Sequence, residues 1–154
     1  MKQINPDYVA AVRSVVNSCP YFTLLSMEIQ ELGWGEARLG ILVQKKHLQP
    51  FGIVHGGVLA SLIDAAAFWA AYCQIPGDEG MTTVEMKINY LAPISEGRMI
   101  AKGRGIRMGK TLCLADASIH NESGTLLAHG TATMMILKDL KIQGPSQWPP
   151  KYLP

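Results

Sequence analysis

Residues 52–73 read GIVHGGVLASLIDAAAFWAAYC. From Gly56 to Cys73 the segment is apolar except for Ser61 and Asp64, and its longest unbroken apolar run is Ala65–Cys73. A membrane span needs about 20 such residues. A carboxylate in mid-segment would also cost a few kcal/mol in lipid. The segment therefore reads as a helix inside a water-soluble domain. A helix that is apolar almost all round is wrapped by other elements rather than laid on a surface. Its neighbours should form a strongly curved sheet.

The flanking sequence supplies the strands. Asn5-Pro6-Asp7 combines a cap residue, a proline at the first helical position and an acid in the first turn. Val9, Val12 and Val16 follow at helical spacing, and Cys19-Pro20 ends a short N-terminal helix. Leu24–Glu31 and Glu36–Gln44 read as two strands around Gly33-Trp34-Gly35, with Ala37, Leu39, Ile41 and Val43 on one face. Gln49-Pro50-Phe51-Gly52 is a loop, and Ile75-Pro76-Gly77-Asp78-Glu79-Gly80 closes the apolar helix. Four more strands are expected, at Thr82–Tyr90, Met99–Arg107, Thr111–His120 and Thr125–Leu137. In the first of these, Val84, Met86, Ile88 and Tyr90 should share a face opposite Glu85, Lys87 and Asn89. In the second, Ala101, Gly103 and Gly105 leave one face nearly bare. Asn121-Glu122-Ser123-Gly124 is a strong turn signal. The pattern is an α+β domain of antiparallel hairpins around one helix. It spans residues 1–137, with a tail at 138–154 that contains Pro145, Pro149, Pro150 and Pro154 and is expected to be extended or poorly ordered.

Composition bounds the rest. At 154 residues the chain makes one domain, which at this size buries about two-thirds of its unfolded surface without a disulfide or metal. Apolar residues are 48% and charged residues only 17%, which points to an oligomer that hides surface. The net charge of +2 and the lack of a dense Lys/Arg stripe give no reason to expect nucleic acid. Three widely spaced cysteines without a CxxC pair indicate a reducing, cytoplasmic setting.

Four features carry possible chemistry. His55-Gly56-Gly57 opens the apolar helix, where the first N–H groups lack internal partners and the dipole is positive. Glycine there lets a carbonyl approach the backbone, as an oxyanion site requires; the same triplet would also serve as a close-packed turn. Asp64 lies on one stripe with Gly57, Ser61 and Phe68. A buried carboxylate needs either a structural partner or a chemical role as nucleophile or general base. Ser61 has no His and Asp at a spacing that supports a triad. His47, His120 and His129 share no metal-ligand spacing and read as surface or strand residues, so no metal is expected. Arg104, Arg107 and Lys110 crowd one strand end, as a solvated turn or as a mouth for the phosphates of an anionic substrate. Phe68, Trp69, Tyr72 and Met86 are either core or the wall of a pocket.

Taken together, Gly52-x-x-His55-Gly56-Gly57-x-x-x-x-Leu62-x-Asp64 resembles the signature of the PaaI-type hot dog thioesterases. The likeness runs in order from Pro20-Tyr21-Phe22 and Met27-Glu28-Ile29 through Tyr90-Leu91-Ala92-Pro93-Ile94 to Gly130-Thr131-Ala132. It implies a hot dog fold, a curved antiparallel sheet around one long helix, assembled as a homodimer or homotetramer with active sites at the dimer seam. It implies hydrolysis of an acyl-CoA, aromatic or medium-chain, to free acid and coenzyme A. On this likeness the Gly56 N–H polarises the thioester carbonyl, and Asp64 of the other protomer attacks it or activates water. His55 positions the loop or substrate, and Thr83 assists the acid or water. Gln49 stands where the family often has Asn, one methylene longer. Gly57, Ser61, Phe68 and Met86 would meet the substrate, while Arg107, Gly109 and Lys110 would flank the departing coenzyme A. No cofactor is implied, since coenzyme A is part of the substrate. Two other readings stand beside this one. They are a hot dog dehydratase acting on acyl-carrier-protein substrates, which the His-Gly-Gly signature opposes, and an acyl-CoA-binding module without turnover, which Asp64 opposes.

Overall fold

A computed structural model describes residues 2–77 and 79–154. Met1 and Asp78 lie outside the described residues, and with Asp78 one position of the turn expected after the apolar helix. Two helices come first, α1 (Pro6–Asn17) and α2 (Pro20–Leu25), then a hairpin of β1 (Met27–Gly33) and β2 (Glu36–Leu42). A single 3-10 turn at Lys45–His47 leads through a loop to α3 (Gly56–Tyr72). Four strands follow, β3 (Gly80–Tyr90), β4 (Arg98–Met108), β5 (Leu112–His120) and β6 (Leu126–Leu137). All six strands form one antiparallel sheet in the order β1-β2-β4-β5-β6-β3, with α3 on its inner face.

Small residues set the distance between helix and sheet. Leu62, Ile63, Ala66, Ala67, Ala70 and Ala71 of α3 are fully buried. They meet Ala101, Ala115, Ala117 and Ala132, which leave little side chain on the inner face. At Gly103 a Cβ would stand 2.0 Å from the Ala66 carbonyl oxygen and 2.4 Å from its carbon, so the α3 backbone rests directly on β4. The bare face expected from Ala101, Gly103 and Gly105 is thus the seat of the helix.

Two expectations about the chain need correction. Leu24–Ser26 is not strand. Pro20 fixes the first position of α2 behind an extended Cys19, and the helix runs to Leu25 before Ser26 turns left-handed at φ 51°. The apolar alternation that suggested an earlier strand start belongs to a helix that buries only Phe22. Along β3, Val84 does not share a face with Met86. The register passes from Thr83↔Met134 to Glu85↔Thr133, so Val84 is the extra residue of a bulge and is 53% exposed. The bulge resets the alternation, and Thr83 and Met86 then face the helix together.

The sheet's two edges differ. On β1, the Asn17 side chain receives the Ile29 N–H at 2.7 Å and donates to the Ile29 carbonyl at 3.1 Å, where Arg13 also donates. This edge is therefore covered by α1. Along β3 no described segment pairs with the outer edge over its 11 residues. That leaves an open ladder of the kind that attracts another strand.

The C-terminal tail packs back on the domain in extended form. Ile4 bridges Tyr152, Leu153 N–H donates to Gln3, and Asn5 N–H donates to the Lys151 carbonyl. Lys151 is buried, with Nζ donating to the Tyr72 carbonyl at 2.6 Å and the Ile75 carbonyl at 2.8 Å, 4.2 Å above the Tyr72 ring. A cation thus satisfies the carbonyls at the C-terminal end of α3. Burial also pushes the neighbouring Cys73 thiol up to about 12, well above its ordinary range.

Two stability predictions follow from this packing. Gly103→Ala must displace the α3 backbone and should cost about 3 kcal/mol, the upper end of ordinary overpacking. A denaturant midpoint within experimental error of wild type would mean the helix does not sit on that glycine. Lys151→Met keeps the aliphatic stem but leaves two buried carbonyls without their charged donor. It should lower stability by about 2 kcal/mol in the same assay, and no loss would remove the lysine as the helix cap.

Candidate active site

Both ends of the site belong to α3. At its N-terminus, His55 is the cap, and its Nδ1 accepts the Gly57 N–H at 2.8 Å. An accepting Nδ1 places the proton of the neutral ring on Nε2. The Val58 N–H reaches the His55 carbonyl. The Gly56 N–H is the first-turn donor with no partner among the described residues. A Cβ on Gly56 would lie 3.4 Å from the Tyr90 ring, so the aromatic end of β3 bounds the space in front of this donor.

The loop that presents His55 is held by His47, a residue expected at the surface. His47 is buried instead. Its Nδ1 accepts the Gln44 N–H at 2.9 Å, its Nε2–H donates to the Leu25 carbonyl at 2.7 Å, and its carbonyl accepts the His55 N–H at 2.8 Å. The imidazole thereby ties the end of α2 to the end of β2, and the backbone carbonyl of the same residue holds the cap of α3. Burial is possible because both ring nitrogens are satisfied. Within the loop, the Gln49 amide oxygen accepts the N–H of Phe51, and Gly52 takes φ 79°, a left-handed turn suited to glycine. Gln49 is therefore engaged with its own loop and makes no bond to Asp64.

Two turns into α3, Thr83 Oγ1 donates to Asp64 Oδ1 at 2.7 Å. The carboxylate is half-buried, and its Oδ2 has no partner among the described residues. Asp64 lines an open cavity of about 340 Å³ with Ser61, Phe68, Trp69 and Met86 from the expected set, bordered by Tyr21 and Phe22 of α2. Ser61 donates to the Gly57 carbonyl at 2.9 Å, and its oxygen lies 2.6 Å from the Tyr21 hydroxyl. With its proton committed to the backbone, Ser61 is left to accept from Tyr21. It is a positioning contact for that ring.

The expected residues do not all converge. Tyr72 lies beyond the Asp64 cavity, and its hydroxyl is 3.1 Å from that of Tyr8. Arg107, near the end of β4, and Gly109 and Lys110, in the turn after it, are exposed and lie outside the cavity. Arg104 does not join them as a free cation. It forms a two-pronged pair with Asp116, at 3.0 and 3.2 Å, on the outer face of the sheet, where Asp116 also lies 3.4 Å from His129. Three contributors had no individual signal in the sequence: Tyr21 from an unexpected helix, Tyr90 against Gly56, and His47 behind the loop. Each acts through a contact between segments distant in sequence. No group of three or more His, Cys, Asp or Glu side chains is clustered to hold a metal among the described residues. Among the described residues no helix is long and apolar enough to cross a membrane.

A long helix in the grip of a curved six-stranded antiparallel sheet, with a carboxylate in a pocket beside it, defines a hot dog fold. Residues 51–128 match the Thioesterase superfamily, and the chain belongs to it. It is 32% identical over 117 residues to the 1,4-dihydroxy-2-naphthoyl-CoA hydrolase of Listeria monocytogenes, covering 76% of this chain and 95% of that protein. Acyl-coenzyme A thioesterase 13 of Mus musculus is 32% identical over 93 residues, 59% of this chain and 66% of that protein. Thioesterase HI1161 of Haemophilus influenzae superposes with a TM-score of 0.80 over 96% of this chain and 100% of that one. At 19% identity this is a likeness of fold.

The space before Gly56 yields a graded prediction. Gly56→Ala fits against Tyr90 at ordinary contact distance, whereas the branches of Gly56→Val fill the approach to the N–H. Thiol release from an acyl-CoA should fall about 10²-fold in the valine variant, comparable to losing an oxyanion donor, and far less in the alanine variant. A folded, fully active Gly56→Val protein would place the carbonyl elsewhere.

Proposed function

We propose that the chain hydrolyses acyl-CoA thioesters, with the Gly56 N–H and Asp64 acting on one carbonyl from two different protomers. The observation that carries this reading is a distance. Gly56 and Asp64 are eight positions apart on a straight helix, about 12 Å at 1.5 Å per residue, so one chain cannot apply both to the same carbonyl. A second copy supplies the missing half. The open β3 edge is where an antiparallel ladder can continue from one chain to the next, and it lies between Tyr90, which borders Gly56, and Thr83, which holds Asp64. The low charge fraction supports the same assembly, as a homodimer or a homotetramer built from dimers.

The chemistry uses protein groups and water, with no metal or cofactor. The Gly56 N–H at the positive end of the α3 dipole hydrogen-bonds the thioester oxygen and stabilises the charge that develops there. His55 withdraws the Gly57 N–H from competition and orients the first turn. Thr83 holds one oxygen of Asp64, leaving the other to take a proton from water. The resulting hydroxide attacks the carbonyl carbon, the tetrahedral intermediate expels coenzyme A by breaking the C–S bond, and the proton on Asp64 passes to the departing sulfur. Direct attack by the carboxylate would form a mixed anhydride that water then cleaves; a carboxylate with one free oxygen serves either route. The acyl group enters the Asp64 cavity, whose aromatic walls suit an aromatic or medium-chain acid. Coenzyme A extends outward toward Arg107 near the end of β4 and Lys110 in the turn after it. The curated relatives that act on coenzyme A esters support this substrate class.

The test pairs two variants. Asp64→Asn keeps size but loses the charge, and turnover should drop about 10²–10⁴-fold while the fold and acyl-CoA binding persist. Near wild-type turnover would remove Asp64 from the chemistry. Mixing Asp64→Asn with Gly56→Val chains should restore roughly a quarter of wild-type activity on random subunit exchange, because each mixed dimer rebuilds one intact site. A mixture no more active than its parts would mean that the two groups do not work across a seam.

A further inference from the structure

A second cleft of about 400 Å³ lies next to the Asp64 cavity, farther along α3. The two share Phe22, Phe68 and Trp69, so they abut on three side chains. The far walls are Val15 of α1, Cys19, and Tyr72 near the end of α3. The roof is the start of the C-terminal tail, chiefly Leu140 and Ile142, and it is held close. A Cβ on Gly80 would meet the Leu140 carbonyl oxygen at 2.4 Å, and the Leu140 N–H donates to the Leu137 carbonyl at 3.1 Å. The walls away from the tail are carbon surface and the Cys19 sulfur, with the Tyr72 hydroxyl turned to Tyr8. Phe68 is the partition. It is half-buried, stacks on Tyr72 with the ring planes 9° apart, and meets Trp69 edge-on.

We infer that this tail-roofed cleft receives the far end of a straight aliphatic acyl chain whose thioester carbonyl lies at Asp64, which makes residues 140–142 and Val15 determinants of chain length. The inference rests on the hydrolase reading above and narrows its substrate class. Three observations carry it. The cleft abuts the Asp64 cavity, with only the shared side chains of Phe22, Phe68 and Trp69 between them. It is apolar, matching a hydrocarbon that must leave water. Its depth also fits: Asp64 and Tyr72 are eight positions apart on α3, about 12 Å, which an extended chain spans in about ten bonds at roughly 1.2 Å each. A flat aromatic acid would fill the first cavity and stop at Phe68. A chain of about ten carbons passes that ring and ends beneath Leu140.

The experiment is a series of straight-chain acyl-CoAs from acetyl to tetradecanoyl, read as kcat/KM by thiol release, with phenylacetyl-CoA alongside. Each methylene buried beyond Phe68 should raise kcat/KM about fourfold, with the gain ending near ten carbons. Val15→Trp fills the distal cleft and should move the optimum to chains shorter by several carbons. Should that variant fail to fold by thermal unfolding, Ile142→Phe fills the same space from the roof. Hydrolysis with no gain past four carbons, or an unmoved optimum in a folded filling variant, overturns the inference while leaving the hydrolase reading intact. No hydrolysis of any thioester overturns both.

Discussion

The contact of the Ala66 carbonyl with Gly103 organises the molecule. Because a side chain is missing there, α3 can lie against β4 at backbone distance, and alanines on both surfaces extend that close seat along the helix. A helix held this tightly has one face fully consumed by the sheet. The stripe of Ser61, Asp64 and Phe68 is left toward β3 and α2, where packing is looser and a cavity opens. A carboxylate can persist in so apolar a helix because its stripe faces that opening and Thr83 donates to it, rather than because the core accommodates charge.

Both ends of α3 are completed by distant parts of the chain, in ways that leave different things free. At the C-terminus, Lys151 and Tyr152 donate to the carbonyls left over after the last turn, so this end is closed. At the N-terminus, the His55 ring takes only the Gly57 N–H, so the Gly56 donor remains open. The sheet has the same asymmetry. Asn17 and Arg13 cover the β1 edge, and the β3 edge is bare. The open donor and the open edge are neighbours through Tyr90, the juxtaposition on which the proposed site between two chains rests.

The match to the superfamily covers residues 51–128, which contain Gly56, Asp64, Thr83 and the whole of α3. The distal cleft shares Phe68, Trp69 and Tyr72 with that stretch, but its remaining walls come largely from outside it, from α1, Cys19, Phe22 and residues 140–143. Reacting groups must be held within fractions of an ångström, and those of the proposed mechanism sit on the central helix and its adjacent strand. Selection of an acyl group by size needs only apolar surface at the right distance, which peripheral segments can provide without disturbing the reacting groups.

Much of this was legible in the sequence. The apolar run broken only by Ser61 and Asp64 determined a wrapped helix. Period-two alternation located six strands to within a few residues, and His55-Gly56-Gly57 marked an open helix start. These are local properties, set by burial and by backbone groups within a turn or two of one another. The structure alone decided what depends on long-range contact. The bulge at Val84 is invisible to alternation, yet it turns Thr83 onto Asp64. His47 looks like any polar loop residue until Leu25 and Gln44 converge on its ring. Leu24 and Leu25 read as the start of a strand until Phe22 finds its place beside α3. The proline-rich tail gives no hint of Lys151 capping the central helix. In each case the deciding partner is far away in sequence, and only the folded chain brings it within hydrogen-bonding or packing distance.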